Sequence, residues 1–309
     1  MPSPFPAFAR KFFRSYRNGS LPLGHSFVRR LLELPLSQYQ EIQLRSGLKM
    51  KIDLSKGNQN AIFWNDGDVD AQLYWAIREL VPVGGVFVDC GANCGLMGLL
   101  ARQYRFAKVI FIEPHPRLAK TIQANIQLNG FADSCELIEA AVSNVQGKIN
   151  FYEDLQNDGS HSIHASWGKN LKVIGNVPCM TLGEIIDSRK LNGIDFLKID
   201  TEGNDLNALK SLGNYLRPDF LKMVYVEMTN DREEAADLMM SHGFIGFGSA
   251  AGNRRVKAGQ QRAYEAGRQT NFFEPFDLKI HCDGDVLWCG RNSALAAHLT
   301  KLCKITLIR

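Results

Sequence analysis

The sequence predicts an α/β protein, a mostly parallel sheet with helices on both faces, preceded by an N-terminal appendage. Three observations predict it. From Val86 to His242, short apolar runs alternate with helical stretches, the pattern of parallel strands joined by helical crossovers. The first run leads into a glycine-punctuated loop, DCGANCG, at residues 89–95. Acids recur where later runs end, at Glu113, Asp200 and Glu227. Ligands of open α/β sheets lie beyond the carboxyl ends of the strands, so these acids are expected on one rim.

Taken in order, residues 1–40 form the appendage. Phe5, Phe8, Phe12 and Tyr16 recur at helical spacing with Arg10, Lys11, Arg14 and Arg17 between them. This fits a basic amphipathic helix on a membrane surface, or a helix docked on its own domain. The main domain spans 41–309. EIQLRSGLKMKIDL, from Glu41 to Leu54, alternates around Ser46-Gly47 as a hairpin does, and Ala71 to Leu80 reads as a helix, so residues 41–80 lead in. VFVDC is the first sheet strand and GLMGLLARQY its helix. VIFIEP is the second, followed by PRLAKTIQANIQLNG, which stops at Asn129-Gly130. CELIEAAVS is expected as a third strand, IDFLKID as a fourth with the helix DLNALKSLG, and KMVYVEM as a fifth with the helix DREEAADLMMSHG. GFIGFGS and GDVLWCG supply two more strands. Between them, residues 250–283 form a basic insertion with Arg254, Arg255, Lys257, Arg262, Arg268, Tyr264, Phe272 and Phe273. It reads either as a lid gripping an anionic acceptor or as a solvated charge run.

Composition bounds the function. The chain has 309 residues, 45% hydrophobic and 22% charged, as in an ordinary globular protein with a sizeable core. A net charge of +4 lacks the density expected of a nucleic-acid-binding face, so no nucleic-acid partner is expected. The seven cysteines form no C-x2-C pair and read as small buried hydrophobes of a reducing compartment. The N-terminus lacks the apolar core of a secretory signal. Val81 to Ala101 is long enough to span a bilayer but contains Pro82, Asp89, Asn93 and five glycines. A soluble, cytoplasmic protein is therefore expected.

In DCGANCG, Gly91 permits a tight turn and Gly95 a close approach of ligand or helix. A dinucleotide would need bare backbone where Asn93 stands, and Asp89 would sit beside its phosphates. S-adenosylmethionine carries a sulfonium, an ammonium and no phosphate, and suits Asp89 better. Glu113, about twenty residues on, is placed to accept ribose hydroxyls, which both ligand classes have. A nucleotide-dependent (NAD) oxidoreductase and a non-catalytic cofactor-binding scaffold are the alternatives.

VFVDCGANCG, FIEPHPRLAKTIQANIQLN, VPCMTLGEIID, IDFLKIDTEGNDLNALKSL and YVEM occur in this order between about Leu44 and Gly243. Together they resemble the motifs of FkbM-type methyltransferases. The resemblance implies the Rossmann-like class I methyltransferase fold with seven strands, the last antiparallel and inserted, for which GDVLWCG is the candidate. It implies S-adenosylmethionine as cofactor and methylation of an oxygen on a sugar or other small-molecule hydroxyl. Carried over residue by residue, Asp89, Gly91, Ala92, Asn93 and Gly95 line the methionine end, with Glu113 and Pro114 at the ribose. His115 stands where the motif often has Asn.

A hydroxyl acceptor needs alignment and a base. Asp200, Glu202 and Glu227 sit at adjacent strand ends. They could raise one another's pKa to make a base, hold a divalent cation, or contact the cofactor's ammonium. Lys198 is expected to pair with a neighbouring acid. His161 and His164 lie in the polar stretch DGSHSIHAS, where a histidine, His161 first, reads either as a further candidate base or as a solvated loop residue; both lack partners at zinc-site spacing, and Ser160 and Ser162 are candidate acceptor-binding hydroxyls. No residue is assigned as a metal ligand. The acceptor is expected to be a small molecule or glycan, anionic if the insertion grips it.

Overall fold

The computed structural model describes residues 5–18, 25–81, 83–154, 161–164, 171–228, 231–249, 273–277 and 284–306. Its leading part contains helices α1 (Phe5–Asn18) and α2 (His25–Glu33), then the antiparallel hairpin β1 (Tyr39–Gln43) and β2 (Lys49–Asp53). The hairpin closes where expected, with Gly47 N–H donating to Leu44 O. Helix α3 (Gly57–Asn65), which the sequence reading did not place, precedes α4 (Ala71–Glu79). Asp70 caps α4 by accepting from Leu73 N at 3.0 Å.

The central sheet follows the alternating pattern. Its parallel strands are β3 (Val86–Cys90), β4 (Lys108–Ile112), β5 (Cys135–Ile138), β9 (Phe196–Ile199) and β10 (Met223–Glu227). Beyond β10 come β11 (Phe244–Ser249), β12 (Phe273–Pro275) and β13 (Asp285–Gly290), in the spatial order β12-β11-β13-β10-β9-β3-β4-β5. The GDVLWCG strand, β13, is antiparallel and lies between β10 and β11. The seven strands expected are thus present, and a three-residue edge strand, β12, makes eight.

CELIEAAVS is not one strand. After Ile138 the chain leaves the sheet, and β6 (Ala141–Val142) joins a second sheet with β7 (Gly147–Asp154) and β8 (Leu171–Met180). Its apolar run is continuous because Ile138, Ala140 and Val142 still face the main core while Ala141 packs under the second sheet. The β7–β8 pair was not visible in the sequence, since residues 155–170, polar and outside regular alternation, separate its strands.

Strand side chains alternate between two cores. Phe87, Phe196 and Tyr225 face one, with α4, α5 (Leu96–Tyr104), α6 (Pro116–Leu128) and the C-terminal helix α10 (Ala294–Thr306). Val88, Leu197 and Val224 face the other, under α7 (Leu182–Ser188), α8 (Asp205–Lys210) and α9 (Arg232–Ser241). Helix α5 lies so close to β4 that a Cβ at Gly98 would stand 2.2 Å from the Phe111 ring. The appendage is docked: Ala9, Phe13 and Val28 enter the first core, and Arg10 reaches Asp66 at 3.0 Å and Gln43 O at 2.8 Å. Among the described residues, no helix is long and apolar enough to cross a membrane.

Most of the basic insertion lies outside the described residues, including Arg254, Arg255, Lys257, Arg262, Tyr264, Arg268 and Phe272. Phe273 is described: it is fully buried in β12, 5.9 Å from the Trp75 ring, so this side chain belongs to the core. Of the cysteines, Cys90, Cys94, Cys179, Cys289 and Cys303 are buried and Cys135 half-buried, all as free thiols.

Candidate active site

A cavity of about 240 Å³ opens at the carboxyl ends of β3, β4 and β9. Asp89, Gly91, Ala92, Asn93, Glu113, Pro114, His161, Asp200 and Glu202 all line it, so most of the residues singled out in the sequence meet there. Gly95 does not line it. It starts α5 facing Ile122 of α6, 3.2 Å from where a Cβ would be, so its close approach is to a helix. Glu227 stands beside the cavity, next to Asp200 and Glu202.

The floor is a row of polar groups across the sheet. In register, Asp89 pairs with Lys198 and Lys198 with Tyr225, all on the face that otherwise carries Phe87 and Phe196. Lys198 Nζ donates to Gly91 O at 3.0 Å and lies 3.4 Å from Asp89 and 3.1 Å from Asp200. Burial works against its charge, but Asp200 and then Asp89 outweigh that and hold it ionised. Burial likewise pushes Asp89 up, opposed by Lys198 and by the Gly98 N–H that donates to Oδ2 at 3.0 Å. With Lys198 held charged by two carboxylates, the pair stands as an ion pair. The expected partnering of Lys198 is what the geometry shows. Tyr225 extends the row by donating to Asp70 Oδ2 at 3.3 Å.

Two rim loops meet above this row. Gly91 has φ +77°, and a Cβ there would fall 1.8 Å from the Asp200 carbonyl oxygen, so only glycine lets the loops after β3 and β9 touch. Each loop also carries a non-glycine residue in the left-handed region, Asn93 at +53° and Glu202 at +52°. Glu113 braces the first loop: Oε2 accepts from Asn93 N at 2.8 Å and Oε1 from His115 N at 2.9 Å. Burial still dominates and raises Glu113 to about 7. Asp205 braces the second loop by accepting from Thr201 N at 2.7 Å and Thr201 Oγ1 at 2.8 Å, and burial raises it to about 6.

Asp200, Glu202 and Glu227 place carboxylate oxygens within 4.8 Å of one another. Burial first, then repulsion from Asp200 and Glu202, pushes Glu227 up to about 10, so it holds a proton at neutral pH. Its Oε2 has no hydrogen-bond partner among the described residues.

His115, Glu153 and His161 form a second compact group. His115 Nδ1 accepts from Arg117 N at 3.1 Å, and His161 Nδ1 accepts from Asp154 N at 3.2 Å. Both rings therefore carry their proton on Nε2, which leaves no lone pair there for a metal. Glu153 lies 3.4 Å from His115 Nε2, 3.7 Å from Arg117 and 3.9 Å from Lys56. Burial and then His115 lower His161 to about 3. The structure therefore corrects the reading of His161 as a base: one ring nitrogen is occupied, the other is a donor, and the ring hardly takes up a proton.

Ser162 also departs from expectation. It is buried, and its Oγ donates to Glu202 O at 2.8 Å while accepting from His164 N at 3.1 Å, so it secures the loop instead of facing an acceptor. His164 Nε2 lies 3.3 Å from Asn204 Oδ1. Ser160 lies outside the described residues. Asn58, Ile62, Asp70, Leu73, Thr201 and Asn204 line the cavity without having been singled out. Only Asp70, as a helix cap, and the TEGND run after β9 left a trace in the sequence.

A family model described as the methyltransferase FkbM domain matches residues 89–247, from the Asp89 rim loop through β11. The chain belongs to the FkbM methyltransferase family. The methyltransferase sdnD of Sordaria araneosa is 25% identical over 162 residues, 43% of this chain. That match spans 62% of the relative's length. Among solved structures, methyltransferase FkbM from Methylobacillus flagellatus KT is 15% identical, over 74% of this chain and 52% of that one, with a TM-score of 0.41. TrmK of M. capricolum, solved with S-adenosyl-homocysteine, is 8% identical over 71% of this chain and 68% of its own, with a TM-score of 0.39. The fold assignment itself rests on the strand order and on the inserted antiparallel β13.

Proposed function

We propose that the protein is an S-adenosylmethionine-dependent methyltransferase acting on the hydroxyl of a carbohydrate or similar small molecule. The observation that carries this reading is the pairing, in one cavity, of Asp89 and Glu113 at one end with Asp200 and Glu202 at the other. Membership of the FkbM family supports it. The donor set fits the cofactor: acids suit its cationic groups and Glu113 retains lone pairs for ribose hydroxyls. Asp89, in the cavity wall at the end of β3, would stand beside the phosphates of a nicotinamide dinucleotide, which disfavours that ligand.

Bound there, S-adenosylmethionine supplies a methyl carbon made electrophilic by its sulfonium. The chain's residues do the rest. The touching loops fix the two ends of the cavity relative to each other, and alignment of this kind lowers the barrier by several kcal/mol. Glu202, on its strained turn in the cavity wall, is the base that takes the acceptor's proton. Glu227 keeps its own proton beside Asp200 and limits the negative charge that collects there. The carboxylates at the transfer point favour a neutral or cationic acceptor group over an anionic one. The same three carboxylates have the oxygen chemistry for a divalent cation, and transfer that is lost on chelation and restored by magnesium would favour that arrangement over direct base catalysis.

Calorimetric titration with S-adenosylmethionine, S-adenosylhomocysteine and NADH tests the cofactor. Binding of the first two and not the third is expected, and NADH binding instead would overturn the reading. A labelled-methyl screen of glycans then tests the acceptor.

A further inference from the structure

We infer that the N-terminal appendage is a docking surface for anionic lipid bilayers. This rests on α1 and α2, not on the chemistry of the cavity. Helix α1 has two sides. One enters the protein through Ala9, Phe13 and Arg10. The other presents Phe8 and Phe12, 57% and 45% exposed, in a ladder with Phe5 whose ring centroids are 6.2 and 6.0 Å apart. Leu34 is 76% exposed and Tyr39 70%, and Phe5, Lys11 and Tyr39 border one groove, which joins the two parts of the surface. Every exposed large aromatic side chain among the described residues lies in this stretch.

Charge selects the partner. Residues 1–40 contain six basic residues and one acid, so they carry more positive charge than the whole chain's +4, and the rest is slightly acidic. The single acid, Glu33, is turned toward the domain, accepting from Trp64 Nε1 at 2.7 Å and Asn60 Nδ2 at 3.2 Å. Lys11, Arg29 and Arg30 are exposed, and Arg29 is paired with Glu33 at 3.3 Å. Aromatic rings flanked by cations, with Glu33 turned inward and Glu41 the exposed acid at the edge of the groove, match the interface of a negatively charged bilayer. A protein partner of mixed charge would not call for this segregation.

The test is co-sedimentation of the full chain with phosphatidylcholine vesicles, with and without phosphatidylserine. Binding at least tenfold tighter with phosphatidylserine is expected, weakening as salt shortens the Debye length from about 10 Å at 0.1 M to about 3 Å at 1 M. Phe8→Ser with Phe12→Ser should lower the partition at least tenfold. Lys11→Ala with Arg30→Ala should lower it by more than tenfold, at about fivefold per charge. Both pairs are exposed, so the melting temperature should stay unchanged. Equal partition on both vesicles, or none on either, overturns the inference. So does a dimer in sedimentation velocity that Phe8→Ser and Phe12→Ser dissociate while vesicles bind nothing, since the face then belongs to a second copy of the chain.

Discussion

The two ends of the cavity bury carboxylates in opposite ways. At Asp89 and Glu113, each acid faces donors supplied by the fold: the Gly98 N–H and Lys198 for one, the Asn93 and His115 N–H groups for the other. At Asp200, Glu202 and Glu227, three acids face one another, and Lys198 reaches only the first of them. The first end is held in place by the fold's own donors before any ligand arrives, with Asp89 Oδ1 left without a hydrogen-bond partner among the described residues. The second stores unfavourable charge that a bound proton, cation or acceptor relieves. Preorganisation suits a cofactor that every turnover uses, while a charged, responsive end suits proton transfer.

The largest effect should come from joining the two ends badly. Gly91→Ala forces a positive φ on alanine and drives its Cβ into the Asp200 carbonyl. A loss of about 3 kcal/mol or more is expected in urea unfolding, with cofactor affinity and turnover failing together. Lys198→Met leaves Asp89 and Asp200 facing each other without their shared cation, at a cost of about 3–5 kcal/mol by the same measurement. It should weaken S-adenosylhomocysteine binding as well, because Asp89 loses its counter-ion.

Substitutions at one end separate them. Glu202→Gln should lower turnover by about 10²–10⁴ and leave S-adenosylhomocysteine affinity near wild type, as removal of a general base does. Loss of affinity instead would move Glu202 to the cofactor. Glu227 is raised in the fold from 4.5 to about 10, so the folded state binds its proton more tightly than the unfolded chain. Its contribution to stability therefore declines as pH rises across that window. Glu227→Gln should flatten the decline, read as melting temperature against pH.

The smallest effect is a proton count. Glu113 is raised to about 7, and ribose hydroxyls donate better to its ionised form. S-adenosylhomocysteine binding just below pH 7 should release a fraction of a proton, seen by calorimetry in buffers of different ionisation enthalpy, and affinity should rise with pH up to about 7. Glu113→Gln should abolish the release and weaken binding about tenfold.

The sequence revealed what is local and periodic. VFVDC, VIFIE and FLKI read as strands because both faces of a parallel sheet are buried, and GDVLWCG carried enough apolar character to place β13. Asp89, Glu113, Asp200 and Glu202 were found because strand ends converge on one rim. What stayed hidden depends on contacts distant in sequence. The β7–β8 sheet has its strands separated by residues 155–170, and Asp70 meets Tyr225 across 155 residues. The protonation of His161 follows from the Asp154 N–H and the neighbouring His115 ring, neither of which its polar surroundings in the sequence betray.

The position of β13 sets an order of birth for the molecule. It is made after β11 yet sits between β11 and β10. Until residues 285–290 leave the ribosome, Met223–Glu227 has an open edge, for several seconds of synthesis at about 5–20 residues per second. The nascent chain can assemble the rim around Asp89 and Glu113 early, from β3, β4 and β9. Glu227 gains its neighbour Asp285 only once β13 has been made, so the carboxylate group beside the cavity is completed after the rim around Asp89 and Glu113.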